Sequence, residues 1–287
     1  MKRMIALMAV LTAFAFLPCE TFATEPASGY TSVSRHYNFK NFDRIAASHS
    51  WQVDVVFADT YSVDVEVPDF IEPYLKVKNV SGKLVLSLEK LPVNVKNQLN
   101  KSKGRLQASV KMPSLQAVDL SGASRLSANG VLDLGQKSLD IDISGASQLD
   151  ELQVKGVDRL SIDLSGATGC NLNVEAEEMH IDVSGSSRLE WKGTALRAFI
   201  DCSGASGIQM DGNVGRMNIE CSGASKVVSK GEVEIAAIEL SGASKGEIAV
   251  SDKLQYELSG ASTLRVKDLG ASVTGEMSRG AKIVYIK

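Results

Sequence analysis

Nine acidic side chains recur down the second half of the sequence: Asp119, Asp142, Asp163, Asp182, Asp201, Glu220, Glu239, Glu257 and Glu276. Each stands two residues ahead of a Ser-Gly-Ala-Ser or a close variant of it. Carboxylates at so regular a spacing could ligate a hard divalent cation, and calcium suits oxygen donors of this kind. Asp142, Asp163, Asp182, Asp201 and Glu220 are the central candidates for such a metal column. Repulsion opposes it, since like charges about 5 Å apart disfavour one another by roughly 1 kcal/mol in water, and more where water is excluded. A local role competes with the metal and is the preferred expectation: a carboxylate beside a tight turn can accept backbone N–H groups of the following corner. The change from Asp to Glu in the last four copies fits a solvated face or a loose ion site better than strict turn capping.

Other chemistry is sparse. His36, His49 and His180 are scattered, and His180 shares a strand face with Asp182 as a surface pair would rather than as a general base. The enzyme alternative is a polysaccharide lyase of the pectate-lyase type, built from acidic calcium ligands and an Arg or Lys base. Such sites sit on long insertions, and the evenly spaced copies leave none, so no catalysis is expected. Trp191 and Phe199 are read as outward aromatics in neighbouring repeats, a candidate patch for a glycan ring. Lys90, Lys96, Lys101, Lys103 and Arg105, with no acid between them, read as a mobile loop able to meet an anionic glycan. Cys202 and Cys221 are equivalent positions one repeat apart, close enough to bridge. Parallel side chains pointing into a core favour two free thiols.

The element that must position these residues is a repeat. The motif begins at Ser121, Ser144, Ser165, Ser184, Ser203, Ser222, Ser241 and Ser259, with a degenerate copy at Ser278, in steps of 23, 21, 19, 19, 19, 19, 18 and 19 residues. Units of fixed period that stack only on their neighbours make a solenoid. Before each motif the residues alternate, as in Met179-His180-Ile181-Asp182-Val183-Ser184, so one face is core and the other carries the acid. Position by position the core face reads as apolar ladders: Leu120, Ile143, Leu164, Val183, Cys202, Cys221, Leu240 and Leu258 form one, and Leu126, Leu149, Cys170, Leu189, Ile208 and Val227 another. The motif glycine implies a corner of positive φ or close backbone approach, and Gly130, Gly193, Gly212 and Gly231 mark a second corner. The fold class is therefore all-β: a right-handed parallel β-helix of about nine rungs of ~19 residues.

Residues 1–23 read as a signal peptide, with Lys2 and Arg3, an uncharged stretch from Met4 to Pro18, and Thr21-Phe22-Ala23 ahead of a cleavage point at Thr24. The stretch is too short to span a bilayer core of roughly 30 Å, so no membrane segment is expected in the mature chain. Cys19 offers lipidation as an alternative, which the preceding Pro18 disfavours. Processing leaves 29 basic and 33 acidic residues, a balance that argues against a nucleic-acid partner. Residues 24–112 alternate as ordinary strands, with Ala58-Asp59-Thr60 and Asn79-Val80-Ser81-Gly82 as hairpin turns, and are expected to cap a β-helix of residues 113–287. Arg279, Lys282 and Lys287 would solubilise the other end.

The ordered series Phe42-Asp43-Arg44-Ile45, Val53-Asp54-Val55-Val56-Phe57, Tyr61-Ser62-Val63-Asp64-Val65, Gly82-Lys83-Leu84-Val85-Leu86-Ser87 and Met112-Pro113-Ser114-Leu115, leading into Leu120-Ser121-Gly122-Ala123, resembles the head GIN domain family of auto-transporter adhesins. The resemblance covers nearly all of the mature chain. It implies a right-handed β-helix in exported proteins, largely of Bacteroidota, and brings no catalytic residues. No translocator barrel is read after the last rung, so a complete autotransporter is not expected. Together these readings give an exported cell-envelope or surface module that binds an envelope or host-surface ligand, a glycan among the candidates. A purely structural periplasmic role is the rival.

Overall fold

The computed structural model describes residues 30–286. The signal peptide, its cleavage point, Cys19 and Lys287 lie outside the described residues. The N-terminal part comprises β1 (Ser32–Tyr37), β2 (Arg44–Ala47), β3 (Trp51–Phe57), β4 (Ser62–Pro68), β5 (Leu75–Val80), β6 (Lys83–Leu88), α1 (Val93–Ser102) and β7 (Leu106–Met112). The repeats supply β8 (Ala117–Leu120), β9 (Arg125–Asn129), β10 (Val131–Ile143), β11 (Gln148–Leu164), β12 (Gly169–Val183), β13 (Arg188–Cys202), β14 (Gly207–Cys221), β15 (Lys226–Leu240), β16 (Lys245–Leu258), β17 (Thr263–Asp268), β18 (Ser272–Met277) and β19 (Lys282–Ile286). Nothing helical among the described residues is long and apolar enough to cross a membrane.

From β8 onward every strand lies parallel on its counterpart one repeat later, without offset through the central copies: Asp182 pairs with Asp201, and Cys202 with Cys221. The fold is a parallel β-helix whose rung has two faces. The face ahead of the motif carries the acids. The motif turns the chain onto the second face, and the return corner shows where alternation breaks, since Ala195 and Ala198 are both buried while Leu196 and Arg197 between them face outward. The ladders read from the sequence are buried throughout, Cys170, Cys202 and Cys221 included, and the three cysteines form no disulfide. Burial pushes the Cys170 thiol up, and contact with Cys202 does the same to Cys221, so both stay protonated as small apolar residues.

The motif corner is explained by what a side chain would strike. A Cβ on Gly204 would lie 2.6 Å from the carbonyl oxygen of Gly185 in the preceding rung, and φ is +72° there. At Gly212 in the second column the obstacle is proximity alone, since its φ is not left-handed and a Cβ there would overlap the carbonyl of Gly193. The fourth motif residue points inward, so Ser124, Ser147, Thr168, Ser187, Ser206, Ser225, Ser244 and Ser262 form a buried hydroxyl column. Ser206 donates to the carbonyl of Ser203 at 2.7 Å and Ser225 to that of Ser222 at 2.9 Å, closing the corner from inside. Alternation backwards from the Leu126 ladder would have found this column.

The N-terminal segment both caps the stack and enters it. β2 and β3 pair in parallel with β8 and β9 on one side and with β6 and β7 on the other, so the first-encoded rung is an interior layer. Ser48-His49-Ser50 forms its corner, with His49 at φ +83° in the place of the motif glycine. β4 lies antiparallel on β7, β5 on β6, and β1 on β4, closing that end. The turn at Ser81-Gly82 is a tight hairpin as expected, with φ +50° and +80° and Val80 opposite Lys83. Ala58-Asp59-Thr60 is not a hairpin: β3 and β4 both pair with β7 and not with each other, so this link is a crossover. The basic segment from Lys90 to Arg105 is not a loop either, because α1 occupies most of it and stands between β6 and β7 where the repeats have the motif turn.

Candidate functional site

The face ahead of the motif is a flat sheet with three outward columns. The first holds the acids, and the register sets Asp119, Asp142, Asp163, Asp182, Asp201, Glu220, Glu239, Glu257 and Glu276 in one unbroken line. These carboxylates do not accept N–H groups from the corner, which corrects the turn-bonding expectation. Each corner donates to the rung before it instead: Ser184 N–H to Leu164 at 2.8 Å, Ser186 to Gly166 at 2.7 Å and Arg188 to Thr168 at 2.8 Å. The turn is closed by rung-to-rung bonds and by the inner serine, so the acid is left to solvent. Lys83 Nζ, 3.6 Å from Asp119, offsets the column at its first member.

Partial burial, and then the flanking Asp163 and Asp201, push the Asp182 carboxyl up; burial and then Asp119 and Asp163 do the same to Asp142. A carboxyl whose folded pKa is raised destabilises the fold above that pKa, and its effect disappears below the unfolded value of about 3.9. Asp182→Asn is therefore expected to raise the melting temperature at pH 7, with the gain vanishing near pH 3. A variant that melts lower than wild type at pH 7 would mean that the carboxylate holds something in place. Among the described residues no three His, Cys, Asp or Glu side chains converge as a metal site requires.

Beside the acids run the columns of residues 180 and 178. His180 and Phe199, in successive rungs, stack with centroids 4.9 Å apart and planes 15° from parallel. His180 takes Glu178 as its acid at 2.8 Å and not Asp182. Glu178 is also held by Arg159 at 3.1 Å and Arg197 at 3.0 Å, and the hydrogen bond from His180, then those arginines, hold its carboxyl below the usual range. Arg216 continues that column. On the other flank of the acids, Asp182, Asp201, Glu220, Glu239 and Glu257 border a shallow groove of about 340 Å³, with Ser203, Ser222, Ser241 and Ser259 opposite. The surface offers carboxylates, hydroxyls, guanidinium groups and one aromatic stack on a rigid plane.

Trp191 is not part of it. The indole is 1% exposed and sits in the core in register with Leu172 and Met210, so the Trp191–Phe199 patch does not exist. Trp191 lies two residues beyond the buried Leu189, and period-two alternation places it inside. Phe199 alone remains, half-buried against His180.

The family model described as "Putative auto-transporter adhesin, head GIN domain" matches residues 41–197 and 170–269. The chain belongs to the head GIN family. Among solved structures, this head GIN chain is similar to a "putative adhesin" from Parabacteroides distasonis ATCC 8503, at 14% identity and TM-score 0.68, covering 90% of this chain and 98% of that one. A "putative adhesin" from Parabacteroides merdae ATCC 43184 is also 14% identical, with TM-score 0.61 and coverage of 89% and 96%. A "putative lipid binding protein" from Parabacteroides distasonis ATCC 8503 is 12% identical, with TM-score 0.65 and coverage of 89% and 97%. At these identities the likeness is one of fold. No curated protein matches the head GIN chain.

Proposed function

We propose that this head GIN protein is a non-catalytic binding module of the cell envelope, exported and displayed to a surface glycan through the flat face around Phe199. The observation that carries this reading is the placement of the His180–Phe199 stack between the acidic line and the Glu178–Arg197 pair on an uninterrupted sheet. An aromatic ring flanked by acceptors and donors suits a sugar, whose apolar face stacks while its hydroxyls bond on either side. The membership and the adhesin-like fold neighbours support binding over catalysis. The regular repeat spacing, which leaves little room for long inserted loops, supports it too.

The test is binding of the purified mature protein to a glycan array, paired with protease shaving of intact cells. Phe199→Ala is expected to weaken the leading glycan at least tenfold, the scale of a stacked anchor, while leaving the melting temperature nearly unchanged. Equal binding by wild type and variant, or full protection of the protein from protease on intact cells, would refute the proposal.

A further inference from the structure

The two ends of the stack are finished differently. At the first, β1, β4 and β5 lie across the outer layer. At the second, β18 pairs only with β16 and β19 only with β17, so among the described residues nothing covers their outer edges. Met277 and Tyr285 occupy core-ladder positions directly beyond Leu258 and Val266, which are 1% and 0% exposed, yet they are themselves 54% and 55% exposed, since no strand among the described residues lies on them from outside. Of the nine large apolar side chains that are exposed among the described residues, Leu269, Met277, Val284 and Tyr285 fall at this end. β18 and β19 contain no proline, and Lys282-Ile283-Val284-Tyr285-Ile286 is strongly β-forming, so the guards these edges keep against pairing are their shortness and the charges of Glu276, Arg279 and Lys282.

We propose that this end is a self-association surface on which a second copy of the chain supplies the next layer, end to end and two-fold symmetric. With the axis along the strands, motif corner meets motif corner, and β18 of each copy lies antiparallel on β19 of the other. That arrangement is charge-complementary. Glu276 closes β18 at the corner and Lys282 opens β19 there, so each copy's Glu276 faces its partner's Lys282, twice in the dimer. Met277 and Tyr285 become interior, and the free backbone groups of both edges are paired. Each copy contributes only the two short strands of one rung to this contact, so the dimer is expected to be weak, with a midpoint on the order of micromolar.

Sedimentation equilibrium on the full mature chain, across a concentration series, tests this. Wild type should pass from monomer to dimer, and Met277→Lys, whose side chain is already in water in the monomer, should remain monomeric with an unchanged melting temperature. Glu276→Lys should weaken the dimer at least tenfold, and adding Lys282→Glu to it should restore the dimer. A wild type monomeric at every concentration overturns the proposal. So does a dimer indifferent to Met277→Lys, or a double variant no better than the single one.

Discussion

Replacing Gly204 with alanine is expected to cost at least about 3 kcal/mol of unfolding free energy, read as a shift in the midpoint of equilibrium urea unfolding. A left-handed backbone at φ +72° costs an L residue roughly 1–2 kcal/mol by itself. The added Cβ would then sit 2.6 Å from the carbonyl oxygen of Gly185, and a carbonyl held by its own rung cannot swing aside as a side chain would. That oxygen also accepts the N–H of Ala205, so displacing it disturbs a rung-to-rung bond at the same corner. Gly207 is the control. Its φ is not left-handed and a Cβ there would meet nothing within 4 Å, so Gly207→Ala should stay within about 0.5 kcal/mol of wild type. Equal behaviour of the two variants would show that the corner has slack that its geometry denies.

Trp191→Ala should be among the most damaging changes in the core, lowering stability by about 3–5 kcal/mol in the same measurement. The indole is fully enclosed, and truncation leaves a cavity between Leu172 and Met210 that a repetitive stack cannot collapse without breaking register on both sides. Its Nε1–H is buried without a hydrogen-bond partner, so part of what the ring contributes by packing is offset by an unsatisfied donor. Trp191→Phe discards that donor and keeps most of the ring, and should cost far less than the alanine. A loss below about 0.5 kcal/mol for the alanine would put Trp191 on the surface after all.

The sequence carried the stack well and the surface less well, for a reason that lies in the period. A ladder repeated eight times at one spacing averages away local ambiguity, so Leu120 through Leu258 could be placed inside without coordinates, and so could the acids outside. Trp191 reads as a ligand-facing aromatic by residue type, but its parity with Leu189 places it inside. The buried serines escaped for the opposite reason: hydroxyls at a turn look like solvent-facing residues, and only counting back from Leu126 shows Ser124 turned inward. The rung of β2 and β3 was hidden by Ser48-His49-Ser50, where a histidine takes the backbone position that glycine marks elsewhere. No local signal says that this rung lies between β6–β7 and β8–β9, since neighbours in a parallel stack are chosen by ladders that fit several layers equally. The Phe199 stack was half legible: alternation turned the ring outward, but its partner His180 and the arginine pair on Glu178 depend on side-chain reach across rungs.

The interior position of the first-encoded rung also decides how the molecule answers a pulling force. A load drawn through the C-terminal strands meets β19 and β18, each held along one edge, and opens the stack one layer at a time like a zip, so only a few bonds resist at any moment. A load drawn through the N-terminus, once β1 has given way, falls on β2 and β3, which are gripped along both edges by layers that come later in the chain. Those strands must slide out under shear, with both sets of bonds strained together. The same rod is therefore mechanically polar: tethered by its beginning it holds, and tethered by its end it peels.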